Sequence, residues 1–111
     1  MANIEAEMRD NVRRIRNHPS IGLWNGNNEV WIGWQEWGWK NGLSDVQKNQ
    51  VEKMYNDIFT GVLPKVLSEE HPDVYYWETS PSASYSSVKT ISSGDIHYWG
   101  VWAAAAPIEN Y

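Results

Sequence analysis

NHPSIGLWNGNNE, residues 17–29, is the stretch on which the reading of the whole chain turns. Pro19 closes whatever precedes it, because its ring disfavours helical geometry in the residue before it. Residues 21–24 are too few for a helix between Pro19 and Gly26. Their apolar character shows no polar alternation, so the expectation is a short strand buried on both faces. The run then breaks into Gly and Asn and stops on a single carboxylate, Glu29.

Upstream, Ile4, Met8, Val12 and Ile15 recur at i, i+4, i+8 and i+11 with charged residues between them, which predicts an amphipathic helix over residues 3–16. Its basic cluster, Arg13, Arg14 and Arg16, has Asp10 one turn before Arg14 and reads as an ordinary solvated helix face. Downstream, VWIGWQEWGWK (residues 30–40) is apolar on several sides, as suits a buried helix or a packed loop with helical turns, its regularity lowered by Gly33, Gly38 and Gly42. Ser44 and Gln47 have capping-box spacing. Val51, Met54, Tyr55, Ile58, Phe59 and Val62 follow with helical period, and Pro64 opens a further turn through Glu70 that His71 and Pro72 close.

VYYW (residues 74–77) reads as a second strand, residues 79–94 as a long Ser- and Thr-rich surface loop, and IHYWGVW (residues 96–102) as a third strand. Strands alternating with helices make an α/β design with parallel strands, either an open sheet or part of a (β/α) barrel. In both, function sits at the C-terminal ends of strands, where Asn28 and Glu29 follow the first and Glu78 follows the second.

The composition narrows the function classes. The 111 residues carry a net charge of −5 with 41% hydrophobic residues, which fits one small soluble domain. The acidic balance argues against nucleic acid as a partner. No window approaches the roughly 20 apolar residues of a membrane span, and MANIEAEMRD at the start lacks the pattern of a signal peptide. Localisation therefore stays open, and the absence of cysteine removes disulfides and thiolate metal sites. Eight tryptophans are far more than a core of this size needs, and Trp24, Trp31, Trp34, Trp37 and Trp39 crowd around Glu29. Flat apolar faces with an N–H handle suit sugar rings as well as cores.

A carboxylate boxed in by tryptophan has its charged form disfavoured, which moves it toward the range of a general acid; the bland alternative is a helix-start Glu complementing the dipole. Asn27 and Asn28 serve equally as turn or cap residues. His18, His71 and His97 have no metal-ligand spacing, so neither metal nor cofactor is expected. The Gly-Asn run matches no nucleotide-binding fingerprint, and SPSAS lacks the nucleophile-elbow pattern. Asp95 and His97, two apart in the third strand, would share a face, as a structural hydrogen bond or as a polar pocket wall; Trp99 and Trp102 suit a core before a ligand platform.

RRIRNHPSIGLWNGNNE (residues 13–29) resembles the signature around the acid/base glutamate of glycoside hydrolase family 2, in its β-mannosidase branch, where WNGNNE replaces the W-S-x-G-N-E of relatives acting on galactosides and glucuronides. SPS (residues 80–82) and SGDIHYWGVW (residues 93–102) are similar to that branch in the same order. The resemblance implies a partial (β/α)8 TIM barrel, roughly the fourth to sixth β/α units, with residues 1–111 a fragment of the catalytic domain. It implies Glu29 as the general acid/base at the end of the fourth strand, Asn28 on the sugar 2-hydroxyl and Trp37 lining the pocket. Asp95, His97, Trp99 and Trp102 would form a subsite wall.

The reaction implied is retaining hydrolysis of a terminal β-mannoside, or of an oligosaccharide ending in one, in which one carboxylic acid protonates the leaving oxygen and a second carboxylate attacks the anomeric carbon. The family's nucleophile lies in a motif like S-E-[FY]-G, which these residues do not contain; Glu78 and Glu109 do not match it. A full barrel needs about 250 residues. The expectation is therefore a piece that is inactive alone, with unpaired strand edges whose partners are the remaining barrel strands of a periplasmic, secreted or lysosomal parent. Without a second carboxylate, the same aromatic pocket would suit a carbohydrate-binding or interaction module.

Overall fold

The computed structural model describes residues 1–82, 96–97 and 99–110. Helix α1 (Ala2–Ile15) is followed by strand β1 (Leu23–Asn25) and helix α2 (Val30–Glu36). Helix α3 (Asp45–Asn56) runs through a π-helical segment, Asp57–Val62, into helix α4 (Leu63–Glu70), and strand β2 (Tyr75–Trp77) comes next. A short 3₁₀ turn, Ile108–Asn110, lies near the end.

The two strands pair in parallel, with Leu23 opposite Tyr75, Trp24 opposite Tyr76 and Asn25 opposite Trp77. This is the α/β arrangement expected from alternating elements, since parallel neighbours need a crossover and α2, α3 and α4 supply it. Trp24 and Tyr76 turn toward the helices: the Trp24 indole donates to His71 Nδ1 at 3.1 Å, and the Tyr76 hydroxyl donates to the Phe59 carbonyl at 2.7 Å. Burial, reinforced by the Glu78 charge, holds the Tyr76 hydroxyl above its ordinary pKa.

The first strand departs from expectation in its cover. Leu23 is 39% exposed, and Tyr75 and Trp77 beside it are 85% and 40% exposed, so only the helix-facing side of the sheet is packed among the described residues. A short apolar run shows that a strand has apolar neighbours, but it does not distinguish one covered face from two.

Helix α1 forms within one residue of the expected bounds at each end, and Val12 is fully buried where α1 packs on α4. Its arginines are not a simple solvated face. Arg9, Arg13 and Arg16, spaced i, i+4 and i+7, converge on Glu70 at the end of α4, with oxygens at 2.8, 2.7 and 3.0 Å. Arg16 also donates to the Glu70 carbonyl at 2.7 Å, satisfying a helix-end acceptor. Only Arg14 behaves as expected, reaching no farther than Asn11. The Glu70 side chain is 8% exposed, and Arg13 and Arg9 hold its carboxyl down at about 2.

The Ser44 capping box forms in full: the Gln47 amide N–H donates to Ser44 Oγ, and the Gln47 side chain closes back on the Ser44 backbone. The helix after it does not stop and restart at Pro64. The Leu63 N–H bonds to the Ile58 carbonyl five residues back, and this π register carries the chain to Pro64, which lacks an N–H, at the start of α4. Tyr55, Leu63, Val66 and Leu67 are buried with Val12, Ile32 and Trp34, whereas Val51 and Met54, expected on the apolar face, are 40% and 61% exposed.

The expected third strand is absent among the described residues of 96–102: Ile96, His97 and Trp99 lie outside any regular element, and residues 100–103 form a turn closed by the Ala103 N–H on the Trp99 carbonyl at 2.9 Å. Gly100 and the alanines after Trp102 favour that turn over an extended ladder. Of the long loop expected at residues 79–94, residues 83–94 lie outside the described residues.

Candidate functional site

The C-terminal ends of β1 and β2 are tied into one unit by residues 26–29 and 78–80. The Gly26 N–H donates to the Trp77 carbonyl at 2.8 Å, and the strands approach so closely there that a Cβ on Gly26 would lie 2.5 Å from both the Glu78 carbonyl oxygen and the Tyr76 hydroxyl. Asn27 is the junction. Its amide nitrogen donates to the Glu78 carbonyl at 2.7 Å, and its Oδ1 accepts from the Val30 N–H at 3.1 Å and from the Thr79 hydroxyl at 2.9 Å. Its own carbonyl accepts from the Ser80 N–H at 2.9 Å. Of the two asparagines read as turn or cap residues, Asn27 takes the first N–H of α2 from two residues before the N-cap position, which Glu29 holds, while Asn28 is exposed and bridges to Ser80 as a single extra rung of the parallel ladder.

Glu29 sits directly ahead of α2 in the left-handed region, at φ 63° and ψ 7°. Its N–H donates to the Ser80 carbonyl at 2.7 Å, and its carbonyl accepts from the Gly33 N–H at 2.9 Å, so the backbone is fixed on both sides. The carboxyl is 21% exposed, and Oε1 lies 2.9 Å from His97 Nδ1. On the other side of that ring, Nε2 lies 2.7 Å from Ser80 Oγ. A carboxyl, an imidazole and a hydroxyl in one hydrogen-bonded line can hold and exchange a proton.

The remaining candidates scatter. Trp37 follows α2, is 48% exposed and meets Trp39 edge to face with ring centres 5.8 Å apart. Trp99 and Trp102, read as core by residue type and as subsite wall by resemblance, are 54% and 78% exposed. Asp95 lies outside the described residues. Glu78 follows β2 as expected and lines a cavity of about 410 Å³ with Phe59, Tyr76, Trp77 and Ser82. Among the described residues, no group of three or more His, Asp or Glu side chains gathers as a metal site. Sequence reasoning did not single out Ser80 except within the SPS motif. Its position three residues beyond a strand that pairs with β1 was the available signal.

No family model matches the chain. Beta-mannosidase B of Aspergillus clavatus is 34% identical to it over 107 residues, and that of Emericella nidulans 33% over 107 residues; each alignment covers 92% of this chain and 12% of the relative. The crystal structure of a beta-D-mannosidase from Dictyoglomus thermophilum superposes with a TM-score of 0.65 at 30% identity, covering 95% of this chain and 12% of that one. The chain thus spans about 12% of the length of the relatives it matches. By sequence and by backbone alike, it belongs with the β-mannosidases as the counterpart of one stretch of them.

Proposed function

We propose that the chain is part of the catalytic domain of a β-mannosidase of glycoside hydrolase family 2, supplying the stretch of a (β/α)8 barrel that begins with its fourth strand and the acid/base half of a retaining site. The observation that carries this reading is Glu29: a partly buried carboxyl at the end of a parallel strand, its backbone pinned to the neighbouring strand's end through Ser80. The exposed sheet face of Leu23, Tyr75 and Trp77 supports the barrel, because that face would point into a barrel interior filled by side chains from other strands.

In this reading Glu29 protonates the glycosidic oxygen as the bond to the anomeric carbon breaks, while a second carboxylate roughly 5 Å away attacks that carbon. Glu29 then takes a proton from the water that releases the sugar. Asn28, exposed beside it, reaches the 2-hydroxyl. Trp37 supplies an apolar face to the ring, and Asp95, Trp99 and Trp102 contribute to the subsite wall. The second carboxylate comes from the rest of the enzyme, as do the strands that cover the open face.

The test is hydrolysis of a chromogenic β-mannoside by this chain and by a form extended at both ends to complete the barrel, each with its Glu29→Gln variant. Only the extended form should turn over, and Glu29→Gln should lower its rate by roughly 10²–10⁴-fold, the usual contribution of general acid–base catalysis. Turnover by the 111 residues alone would exclude the divided site. An extended form that binds mannose without cleaving it would favour a binding module.

A further inference from the structure

His97 bridges two groups that the fold brings together from the ends of different strands. Its Nδ1 is 2.9 Å from Glu29 Oε1 and its Nε2 is 2.7 Å from Ser80 Oγ. The backbones of both neighbours are tied, the Glu29 N–H to the Ser80 carbonyl at 2.7 Å and the Ser80 N–H to the Asn27 carbonyl at 2.9 Å. Both ring nitrogens are engaged within the protein, a geometry that orients a ring toward the carboxyl instead of toward a sugar.

A neutral imidazole carries one proton, so its two ends are linked. When the Ser80 hydroxyl donates to Nε2, the proton is on Nδ1 and is donated to an ionised Glu29. When Nε2–H donates to Ser80 Oγ, Nδ1 is an acceptor and bonds a protonated Glu29. One contact therefore serves both states of the carboxyl. The change of tautomer moves one proton off one nitrogen and one onto the other, which solvent can carry at a side chain that is 23% exposed.

We propose that His97, held by Ser80, is the positioning residue of the Glu29 carboxyl and not a wall of the sugar pocket. This rests on the reading of Glu29 as acid/base, a role that demands the protonated form in one step and the ionised form in the next. His97 stays in contact with the carboxyl throughout the cycle. It keeps Glu29 in one orientation while the carboxyl gives its proton to the leaving oxygen and regains one from water.

The experiment uses the extended enzyme and two aryl β-mannosides: a phenyl glycoside, whose departure needs protonation, and a dinitrophenyl glycoside, whose departure does not. His97→Gln should lower kcat/KM for the phenyl substrate on the order of 10- to 100-fold, and for the dinitrophenyl substrate by less than about threefold. His97→Asn, whose amide nitrogen falls near Nδ1, should recover most of the loss. Ser80→Ala, which removes only a hydroxyl, should repeat the selectivity at smaller size and decides the matter if the His97 variants do not fold. Equal loss on both substrates, or loss confined to KM, would overturn the proposal while leaving Glu29 in its role. A wild-type extended enzyme that cleaves neither substrate would instead remove the acid/base reading on which the proposal stands.

Discussion

Adding one methyl group at Gly26 tests how the two strand ends are joined. A Cβ there meets the Glu78 carbonyl oxygen and the Tyr76 hydroxyl at 2.5 Å and Phe59 Cδ1 at 3.1 Å, whereas ordinary contact begins near 3.4 Å. None of these atoms yields easily. The Glu78 carbonyl already accepts from Asn27, and the Tyr76 hydroxyl is tied to the Phe59 carbonyl. The strands must part by most of an ångström, which strains the Gly26-to-Trp77 hydrogen bond of 2.8 Å. Overpacking of this kind costs about 1–3 kcal/mol, and a lost hydrogen bond about 1 kcal/mol more, so Gly26→Ala should destabilise by roughly 2–4 kcal/mol. Gly33→Ala is the control. Its Cβ also arrives too close, 2.6 Å from the Trp39 ring, but that ring is 52% exposed and can swing away. Alanine in a helix interior recovers about 0.5–1 kcal/mol over glycine, which leaves that variant near neutral. Urea unfolding followed by near-ultraviolet circular dichroism measures both. Gly26→Ala within about 0.5 kcal/mol of wild type, or Gly33→Ala the more damaging of the two, would refute the reasoning.

Asn27→Ala should cost about 2–3 kcal/mol in the same assay, because it leaves the Val30 N–H and the Glu78 carbonyl without their partner in a half-buried junction; a loss under about 0.5 kcal/mol would deny Asn27 its role. Glu70 governs the acid side of stability. Its folded-state pKa of about 2 lies below the ordinary 4.5, so its contribution is complete above about pH 4.5 and is lost as pH falls through about 2. Thermal melts from pH 2 to 5 should show a decline that Glu70→Gln flattens, and an unchanged decline in the variant would place the acid sensitivity elsewhere.

The parts of the fold that were legible in sequence are those set by neighbours along the chain. The Ser44 capping box is a relation between residues three apart, and the helix that carries the Ile4, Met8, Val12 and Ile15 stripe, with Val12 its buried member, is a relation within four turns. Both appear in the structure where the sequence puts them. What failed depended on partners remote in sequence. Arg9, Arg13 and Arg16 share a face by spacing alone, but nothing local reveals that Glu70 waits opposite them, more than fifty positions away. The strand predicted over residues 96–102 had the right residue types and no ladder to join among the described residues. Side-chain chemistry holds that segment instead, through His97.

The candidate site divides in the same way. Glu29 could be located because a lone carboxyl after a short strand stands out in one dimension, yet its conformation could not. A non-glycine residue at φ 63° gives up about 1–2 kcal/mol relative to ordinary backbone, and glycine would occupy the position without that cost. The strain is tolerated because Ser80 and Gly33 grip the Glu29 backbone from both sides. A purely structural turn has no need of a carboxylate there, since the Glu29 side chain makes no cap bond and the Asn27 side chain takes the first N–H of α2. A strained acid, fixed fore and aft and met by an imidazole, is what the proposed acid/base role asks for. The residues that make this possible come from three separate segments: the pairing of β1 with β2 brings Asn27 and Ser80 together, and His97 joins them through its two ring nitrogens.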